Sequence, residues 1–92
     1  MVAKLITNMV ETYQLFQYQS CPFCYRVRRF LEATGIDLEF KDTLLDVEAS
    51  RELFEGGGKN SVPCLRIQRG CEVQWLYESR DIIEYLKSRF GV

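Results

Sequence analysis

The chain has 92 residues, of which 47% are apolar and 27% charged, with 12 lysines and arginines against 13 aspartates and glutamates. This composition is typical of a single small globular domain, residues 1–92, and the balanced charge excludes a broad nucleic-acid-binding surface. No apolar run is long enough for a membrane helix, and the absence of histidine excludes Cys-His and Ser-His-Asp catalysis and any zinc site that needs imidazole.

The first ten residues lack the apolar core of a secretory signal, so we expect a cytoplasmic protein in a reducing compartment. The four cysteines then indicate reactive or metal-binding thiols before a disulfide framework. Apolar residues at helical spacing over residues 1–12 predict a short N-terminal helix packed on the edge of the domain.

The following residues predict alternating strands and helices. Aromatic-rich residues 13–18 predict a strand, and Pro22 suits the first turn of a helix that Gly35 ends. The apolar stripe of that helix consists of Phe23, Val27, Phe30 and Leu31. Alternating apolar and charged side chains over residues 36–41 predict a half-buried second strand.

The second half of the chain predicts a helix, a hairpin and a last helix. Asp46 caps a helix that runs to about residue 54, where glycines follow. Residues 62–67 and 72–77 predict two strands joined by a tight turn at Arg69-Gly70. Ser79 caps the last helix, whose apolar face consists of Ile82, Ile83, Leu86 and Phe90.

This order of elements predicts an α/β fold. The helical crossovers demand parallel pairing of the first three strands, whereas the short turn demands an antiparallel hairpin. We therefore expect a mixed sheet of about four strands with helices on both faces.

The motif C-P-F-C at residues 21–24 lies where the first strand meets the first helix. A reactive cysteine must be a thiolate, and the free N–H groups and positive dipole end of a helix start stabilise negative sulfur. Three arginines follow within two turns: Arg26, Arg28 and Arg29. We expect Cys21, as the exposed first thiol, to attack, and Cys24, one turn further on, to resolve.

The alternative for this motif is half of a zinc site, with Cys64 and Cys71 as the other half. Those two cysteines are seven positions apart in predicted strands and do not form a knuckle, so a redox role is favoured and no metal is expected. We expect Cys64 and Cys71 to be small buried apolar residues, with a regulatory disulfide or a glutathionylation site as the alternative.

Two further features lie at predicted element starts. Pro63 opens the third strand, where an ordinary trans edge proline is the simplest interpretation, but together with the cysteine motif we expect a cis Val62-Pro63 bond facing Cys21. Before the last helix, Glu78 and Ser79 offer a partner for an ammonium and an anion site for a carboxylate. This pair suits an α-amino-acid group such as the γ-glutamyl end of glutathione.

Residues 13–90 resemble the glutaredoxins, with C-P-F-C after the first strand, S-V-P before the third and a polar helix start after the fourth. The resemblance implies a thioredoxin-like fold and the reduction of glutathione mixed disulfides and protein disulfides by glutathione. It implies that Cys21 is the nucleophile, Cys24 the resolving thiol and Pro63 the cis-proline of the family. It also implies that the Val62 backbone pairs with the cysteinyl part of glutathione and that Lys59 lies near its glycine carboxylate.

The sequence is also similar to the N-terminal domain of glutathione transferases, through Tyr77-Glu78-Ser79 and the run C-P-F-C-x-R-V-R-x-x-L-x-x-x-G-I. Those enzymes use a Glu-Ser pair for the γ-glutamyl group, which implies this role for Glu78 and Ser79. Two glutaredoxin features differ, since Tyr18 replaces a basic residue and the Gly-Gly pair before the last helix is missing. The role of Lys59 therefore stays open.

We expect a monomeric, glutathione-dependent thiol-disulfide oxidoreductase with glutathione as co-substrate. Its partners would be glutathionylated or disulfide-containing proteins, with no nucleic acid and no membrane. One alternative is a homodimer that bridges an iron-sulfur cluster through Cys21 and glutathione, which the stiff Pro22 turn disfavours. Another is a stand-alone transferase-like glutathione-binding module that conjugates electrophiles.

Overall fold

The computed structural model describes residues 10–92. Within them the elements are β1 (Glu11–Gln17), α1 (Pro22–Thr34), β2 (Glu39–Asp42), α2 (Val47–Gly57), β3 (Cys64–Arg69), β4 (Glu72–Tyr77) and α3 (Ser79–Phe90). The N-terminal helix predicted over residues 1–12 lies mostly outside the described residues, and its last two positions, Glu11 and Thr12, are strand. In residues 10–92, no helix has the length and apolar character needed to span a membrane.

The four strands form one mixed sheet in the order β2-β1-β3-β4. β1 is parallel to β2, and β3 is antiparallel to both β1 and β4. The predicted mixed sheet and hairpin are confirmed, but the parallel pairing predicted for the third strand is wrong. The segment of α2 and residues 58–63 returns to the end of the sheet where β1 finishes, so Cys64 pairs with Phe16 and β3 runs backwards along β1.

Helices cover both faces of the sheet, as predicted. Leu15 and Phe16 are consecutive residues of β1, so they point to opposite faces, and both are fully buried. One face carries the core of Leu15, Val27, Leu31, Leu65, Ile67, Ile82 and Leu86, beneath α1 and α3. The other face carries the smaller core of Phe16, Ala49, Leu53 and Cys64, beneath α2.

Local sequence signals set most of the helix ends. Pro22 is in the first turn of α1, and Gly35 ends that helix with a left-handed φ of 76°. The Asp46 side chain accepts a hydrogen bond from the Glu48 backbone N–H at 3.0 Å, as a helix cap does. α2 is longer than predicted, because Gly56 and Gly57 remain helical and the left-handed residue that ends it is Gly58.

Three side chains lie elsewhere than the sequence predicts. The buried face of α1 is Cys24, Val27 and Leu31, which leaves Phe23 58% exposed. Ile36 packs against the larger core from the loop before β2, which begins only at Glu39. Cys64 is fully buried as predicted, whereas Cys71 is exposed because it is part of the tight turn rather than of a strand.

Candidate active site

Cys21 lies at the end of the loop that follows β1 and is the N-cap residue of α1. Its Sγ accepts a hydrogen bond from the backbone N–H of Cys24 at 3.3 Å, so the sulfur faces the positive end of the helix. The predicted exposure of Cys21 is wrong, since the residue is only 6% exposed. Part of this cover comes from the loop before β3, where the carbonyl of Val62 lies 3.9 Å from Sγ.

The loop before Cys21 is braced by Arg28. Its guanidinium donates hydrogen bonds to the side chain of Gln17 at 2.5 Å and to the carbonyls of Tyr18 and Gln19 at 3.4 and 3.1 Å. Gln17 is buried, so this contact anchors the loop to the sheet. The sequence indicates Arg28 only as a positive charge near the thiols, whereas the structure shows that it also holds the backbone that presents Cys21.

Cys24 is fully buried one turn along α1. Burial, reinforced by the neighbouring Cys21 thiol, raises the pKa of Cys24 to about 12. Cys24 is therefore a protonated thiol at neutral pH. Both cysteines are free thiols in the structure.

A cleft of about 230 Å³ lies between α1, the start of β3 and the start of α3. Its lining residues are Phe23, Ser61, Val62, Pro63, Tyr77, Glu78 and Ser79. The Val62-Pro63 peptide bond is cis, which confirms the prediction. The cleft thus unites four of the residues predicted from the sequence, and Val62 joins it to Cys21.

The start of α3 differs from the prediction. Glu78 is the N-cap, with φ 77° and ψ 120° and no capping hydrogen bond from its side chain, while Ser79 is the first helical residue. A side chain caps a helix from an extended backbone conformation, which Ser79 does not have. Ser79 is 5% exposed, and its hydroxyl makes no side-chain hydrogen bond within residues 10–92. The first turn of α3 therefore presents an uncapped helix start and a free hydroxyl to the cleft.

Lys59 does not line the cleft. Its Nζ lies 4.7 Å from the centre of the Tyr77 ring, and its carbonyl accepts a hydrogen bond from the Tyr77 hydroxyl at 2.9 Å. Tyr77 itself lines the cleft, as does Phe23, and neither was assigned to the site from the sequence. Their closeness in sequence to predicted site residues could have indicated them, since Tyr77 precedes Glu78 directly and Phe23 lies inside the C-P-F-C motif.

Metal ligands are not grouped in this region. Across residues 10–92, cysteine, aspartate and glutamate side chains form no cluster of three or more that is arranged to hold a metal ion.

The sequence and fold of this chain were compared with those of known proteins. The family described as glutathione S-transferase, N-terminal domain, matches residues 15–92. Prostaglandin E synthase 2 of Mus musculus is 33% identical over 75 residues, which are 80% of this chain and 18% of that protein. The chain therefore spans only a small part of this curated relative.

Two solved structures show the same architecture. Maleylacetoacetate isomerase from Anaeromyxobacter dehalogenans 2CP-1, with dicarboxyethyl glutathione and citrate in its active site, is 25% identical with a TM-score of 0.64, over 86% of this chain and 37% of the isomerase. A glutaredoxin from Archaeoglobus fulgidus has a TM-score of 0.58 at 20% identity, over 90% of this chain and 94% of that one. The chain therefore belongs to the glutathione S-transferase N-terminal domain family and has the thioredoxin-like fold that this family shares with the glutaredoxins.

Proposed function

We propose that this protein is a glutathione-dependent thiol-disulfide oxidoreductase that reduces glutathione mixed disulfides and protein disulfides. The observation that carries the proposal is the pair of free thiols at the start of α1, with Cys21 Sγ 3.9 Å from the carbonyl of Val62 in the neighbouring cleft. The isomerase of similar fold, with its bound glutathione derivative, supports glutathione as the co-substrate. In this proposal residues 1–92 act as one monomeric domain in the cytoplasm.

Glutathione would lie along the cleft from α3 to Cys21. Its γ-glutamyl end suits the start of α3, where the Ser79 hydroxyl and the Glu78 carboxylate are free of side-chain partners in the described chain. Its cysteinyl part would pair with the backbone of Val62, with Pro63 as the wall behind it. Lys59 would reach the glycine carboxylate only by leaving the face of the Tyr77 ring.

The chemistry begins with the Cys21 thiolate attacking the glutathione sulfur of a mixed disulfide. The disulfide bond breaks, the substrate leaves as a thiolate that takes up a proton, and Cys21 becomes glutathionylated. The thiolate of a second glutathione then attacks the glutathione sulfur on Cys21. This step releases oxidised glutathione and restores the Cys21 thiolate. The two glutathione moieties thus supply the two electrons that reduce the substrate disulfide, and they leave joined by a disulfide bond.

Cys24 would act only when the substrate is a protein disulfide. Cys21 then forms a mixed disulfide with one protein sulfur, and the Cys24 thiolate attacks Cys21 Sγ to release the protein and close a Cys21–Cys24 disulfide. Once Cys21 is in a disulfide it can no longer ionise beside Cys24, so the contribution of Cys21 to the raised pKa of Cys24 is removed at this step. Two glutathione molecules would reduce the Cys21–Cys24 disulfide.

Single-cysteine variants test this division of roles. Cys24→Ser should keep reduction of a small glutathione mixed disulfide and lose protein disulfide reduction by at least about tenfold, because a tethered thiol has a high effective concentration. Cys21→Ser should lose both activities. Two steady-state assays, one with each substrate, measure the difference.

Cys71 provides the matched control. It is a free cysteine in the turn between β3 and β4, at the opposite end of β3 from Pro63, so Cys71→Ser should change neither activity. Activity retained in Cys21→Ser would mean that the nucleophile is another residue. Loss of both activities in Cys24→Ser would contradict the separate roles proposed for the two thiols.

The second candidate function is a transferase-like module that conjugates glutathione to electrophiles. It is favoured by the family match over residues 15–92 and by the Glu78-Ser79 pair at the start of α3. Conjugation of 1-chloro-2,4-dinitrobenzene by the wild type, with no disulfide reduction in either assay, would support this function over the oxidoreductase.

A further inference from the structure

A second cleft, of about 310 Å³, adjoins the first at the start of α3. Its lining residues are Phe23, Arg26, Glu78, Ser79, Arg80 and Asp81. Three of these residues, Phe23, Glu78 and Ser79, also line the first cleft, so the two clefts meet at the uncapped end of α3. One groove therefore runs from the Cys21 side of Val62, past Ser79, to Arg26.

The second cleft carries charges of both signs. Two arginines, Arg26 and Arg80, and two carboxylates, Glu78 and Asp81, line it. In the part of the chain from residue 10 to residue 92, none of these four side chains makes a hydrogen bond or an ion pair with another side chain. An α-amino-acid group, which has one ammonium and one carboxylate, is complementary to such a lining.

Only one of the three arginines that follow Cys21 faces this cleft. Arg28 is engaged with Gln17 and the loop before Cys21, and Arg29 donates a hydrogen bond to the Tyr25 hydroxyl at 3.3 Å. Both turn away from α3 and line a different surface, between α1 and β2. Arg26 is thus the one arginine of α1 in the lining of the groove.

A second observation at this helix start points to a ligand. Ser79 is 5% exposed, yet its hydroxyl has no side-chain partner in the described residues and it lines both clefts. The hydroxyl oxygen is itself accessible from the clefts, since the one fully buried side-chain N or O atom without a partner in residues 10–92 is Arg66 Nε. A carboxylate that accepts from Ser79 and from the N–H groups of the α3 first turn would also lie within the cleft that Arg26 lines.

We propose that Arg26 binds the α-carboxylate of the γ-glutamyl group of glutathione and so selects glutathione over shorter thiols. The inference rests on the proposed function. An arginine guanidinium can donate two parallel hydrogen bonds to a carboxylate, which makes it the preferred partner for this group. Arg26 is five residues beyond Cys21, about 7.5 Å along the helix axis. α1 would therefore hold both the reacting sulfur and the far end of the ligand.

The test compares two ligands that differ only in the γ-glutamyl group. In the Cys21→Ser background, which allows no covalent reaction, calorimetry measures binding of glutathione and of cysteinylglycine. Adding Arg26→Gln should weaken glutathione binding by about 10- to 100-fold, the range expected for a lost hydrogen bond to a charged group. Cysteinylglycine binding should change by less than about twofold.

The kinetic arm uses Cys21-containing protein. Arg26→Gln should raise the KM for a glutathione mixed disulfide with little change in kcat, and it should leave the cysteinylglycine mixed disulfide unaffected. Arg26→Lys should bind glutathione more tightly than Arg26→Gln but more weakly than the wild type, because lysine keeps the positive charge and cannot donate two parallel hydrogen bonds to a carboxylate. Arg29→Gln, a matched change on the same helix but outside the groove, should alter neither ligand.

Each outcome decides between specific explanations. Equal losses for both ligands in Arg26→Gln would show that Arg26 acts on the thiol rather than on the γ-glutamyl group, which overturns the inference. Glutathione binding by Arg26→Gln that equals the binding of the protein with Arg26 would also overturn the inference. If Arg26→Gln weakens glutathione binding selectively while the wild type reduces no disulfide, the inference stands and the oxidoreductase function fails.

Discussion

Glu78 adopts a backbone conformation that side-chain-bearing residues rarely use, with φ 77° and ψ 120° at the entrance to α3. Such conformations cost about 1–3 kcal/mol and persist where the surrounding structure requires them. Here the conformation places the Glu78 carboxylate and the Ser79 hydroxyl together in the lining of one cleft. Glu78 thus combines a strained backbone with the proposed role in ligand binding, and two substitutions can separate these two effects.

We expect Glu78→Gly to raise the free energy of unfolding by about 1 kcal/mol, because relief of the strained φ outweighs the added freedom of glycine in the unfolded chain. Glu78→Gln keeps the strain, so its stability should stay within about 0.5 kcal/mol of the wild type. Both variants should bind glutathione about tenfold more weakly, since both remove the charged partner of the ligand ammonium. Urea unfolding and calorimetry measure the two quantities.

Ser79→Ala is the companion variant for the same site. It should weaken glutathione binding without changing the iodoacetamide reaction rate of Cys21, because in the proposed binding mode Ser79 contacts the ligand and not the thiol. Full glutathione affinity in all three variants would place the γ-glutamyl group elsewhere on the protein.

At the scale of elements, the end of α2 fits tightly under β4. A Cβ atom on Gly57 would overlap the hydroxyl of Tyr77, and one on Gly56 would overlap the ring of Trp75. The Trp75 ring in turn packs against the ring of Phe16, with their centres 5.5 Å apart. These two glycines therefore let α2 approach β4 closely enough for the Tyr77 hydroxyl to reach the Lys59 carbonyl at the edge of the cleft.

Gly57→Ala should lower the free energy of unfolding by about 1–3 kcal/mol, the usual cost of forcing an extra group into a packed site. The opposite sign would hold for an unhindered helical glycine, where alanine stabilises by up to about 1 kcal/mol. Glutathione affinity should fall too, because Tyr77 lines the cleft. Thermal unfolding and calorimetry check both effects.

A double-mutant cycle with Tyr77→Phe identifies the cause. Removing the Tyr77 hydroxyl removes the overlapping atom, so Gly57→Ala should cost less than half as much in the Tyr77→Phe background as in the wild type. An equal cost in both backgrounds would assign the loss to the backbone of α2 instead.

Short-range chemistry explains which of these features the sequence could predict. Pro22, Gly35 and Asp46 set helix ends through their own backbone or side chain, and the structure places all three as predicted. The cysteine motif is likewise recognisable from a local pattern, and each of these signals acts within a few residues. The cis Val62-Pro63 bond is different, because its own neighbours favour an ordinary trans proline and only the combination with the distant cysteine motif predicts the cis form.

The features that the sequence did not predict depend on distant partners. The direction of β3 is decided by where the α2 crossover returns, and the brace by Arg28 depends on a loop nine to eleven residues earlier. The position of Lys59 before S-V-P predicts a place near the glycine carboxylate, whereas in the structure its Nζ lies over the ring of Tyr77, eighteen residues later, and Lys59 does not line the cleft. No pattern of neighbouring residues contains this information.

At the scale of the whole molecule, one carboxylate joins three elements. The side chain of Glu11, only 7% exposed, accepts hydrogen bonds from the hydroxyls of Tyr13 and Tyr85 at 2.6 and 3.0 Å. It also forms ion pairs with Arg69 of β3 and with Arg89 of α3, the latter at 2.8 Å. Burial alone would raise the pKa of Glu11, but the hydrogen bonds from Tyr13, Arg69 and Tyr85 outweigh it and hold the pKa below its usual value of 4.5.

Glu11→Gln should lower the free energy of unfolding at pH 7 by roughly 1.5–3 kcal/mol, the cost of losing hydrogen bonds to a charged group. Because the folded-state pKa of Glu11 is lowered, its contribution is complete above the unfolded-state value of about 4.5 and is lost as the pH falls through the folded-state value. The difference between wild type and variant should therefore be constant from pH 7 to about 5 and shrink below about pH 4.5. Urea unfolding at several pH values measures it.

Glu84→Gln on α3 is the matched control for this prediction. Glu84 is exposed and has no ion pair in residues 10–92, so its substitution should change stability by less than about 0.5 kcal/mol at every pH. A Glu11→Gln effect that is independent of pH would show that side-chain packing, and not the carboxylate charge, joins β1 to α3.

The central place of β1 also governs how the chain must fold. β1 is the first described strand, yet the two arginines that pair with Glu11 lie far along the chain, Arg69 at 58 and Arg89 at 78 positions after it. Contacts so distant along the chain slow folding, because a long loop must close before they form. While the chain is being synthesised, Leu15 and Phe16 would emerge early and stay uncovered until β3 and α3 arrive. The nascent domain is thus most prone to aggregation just before α3 is made.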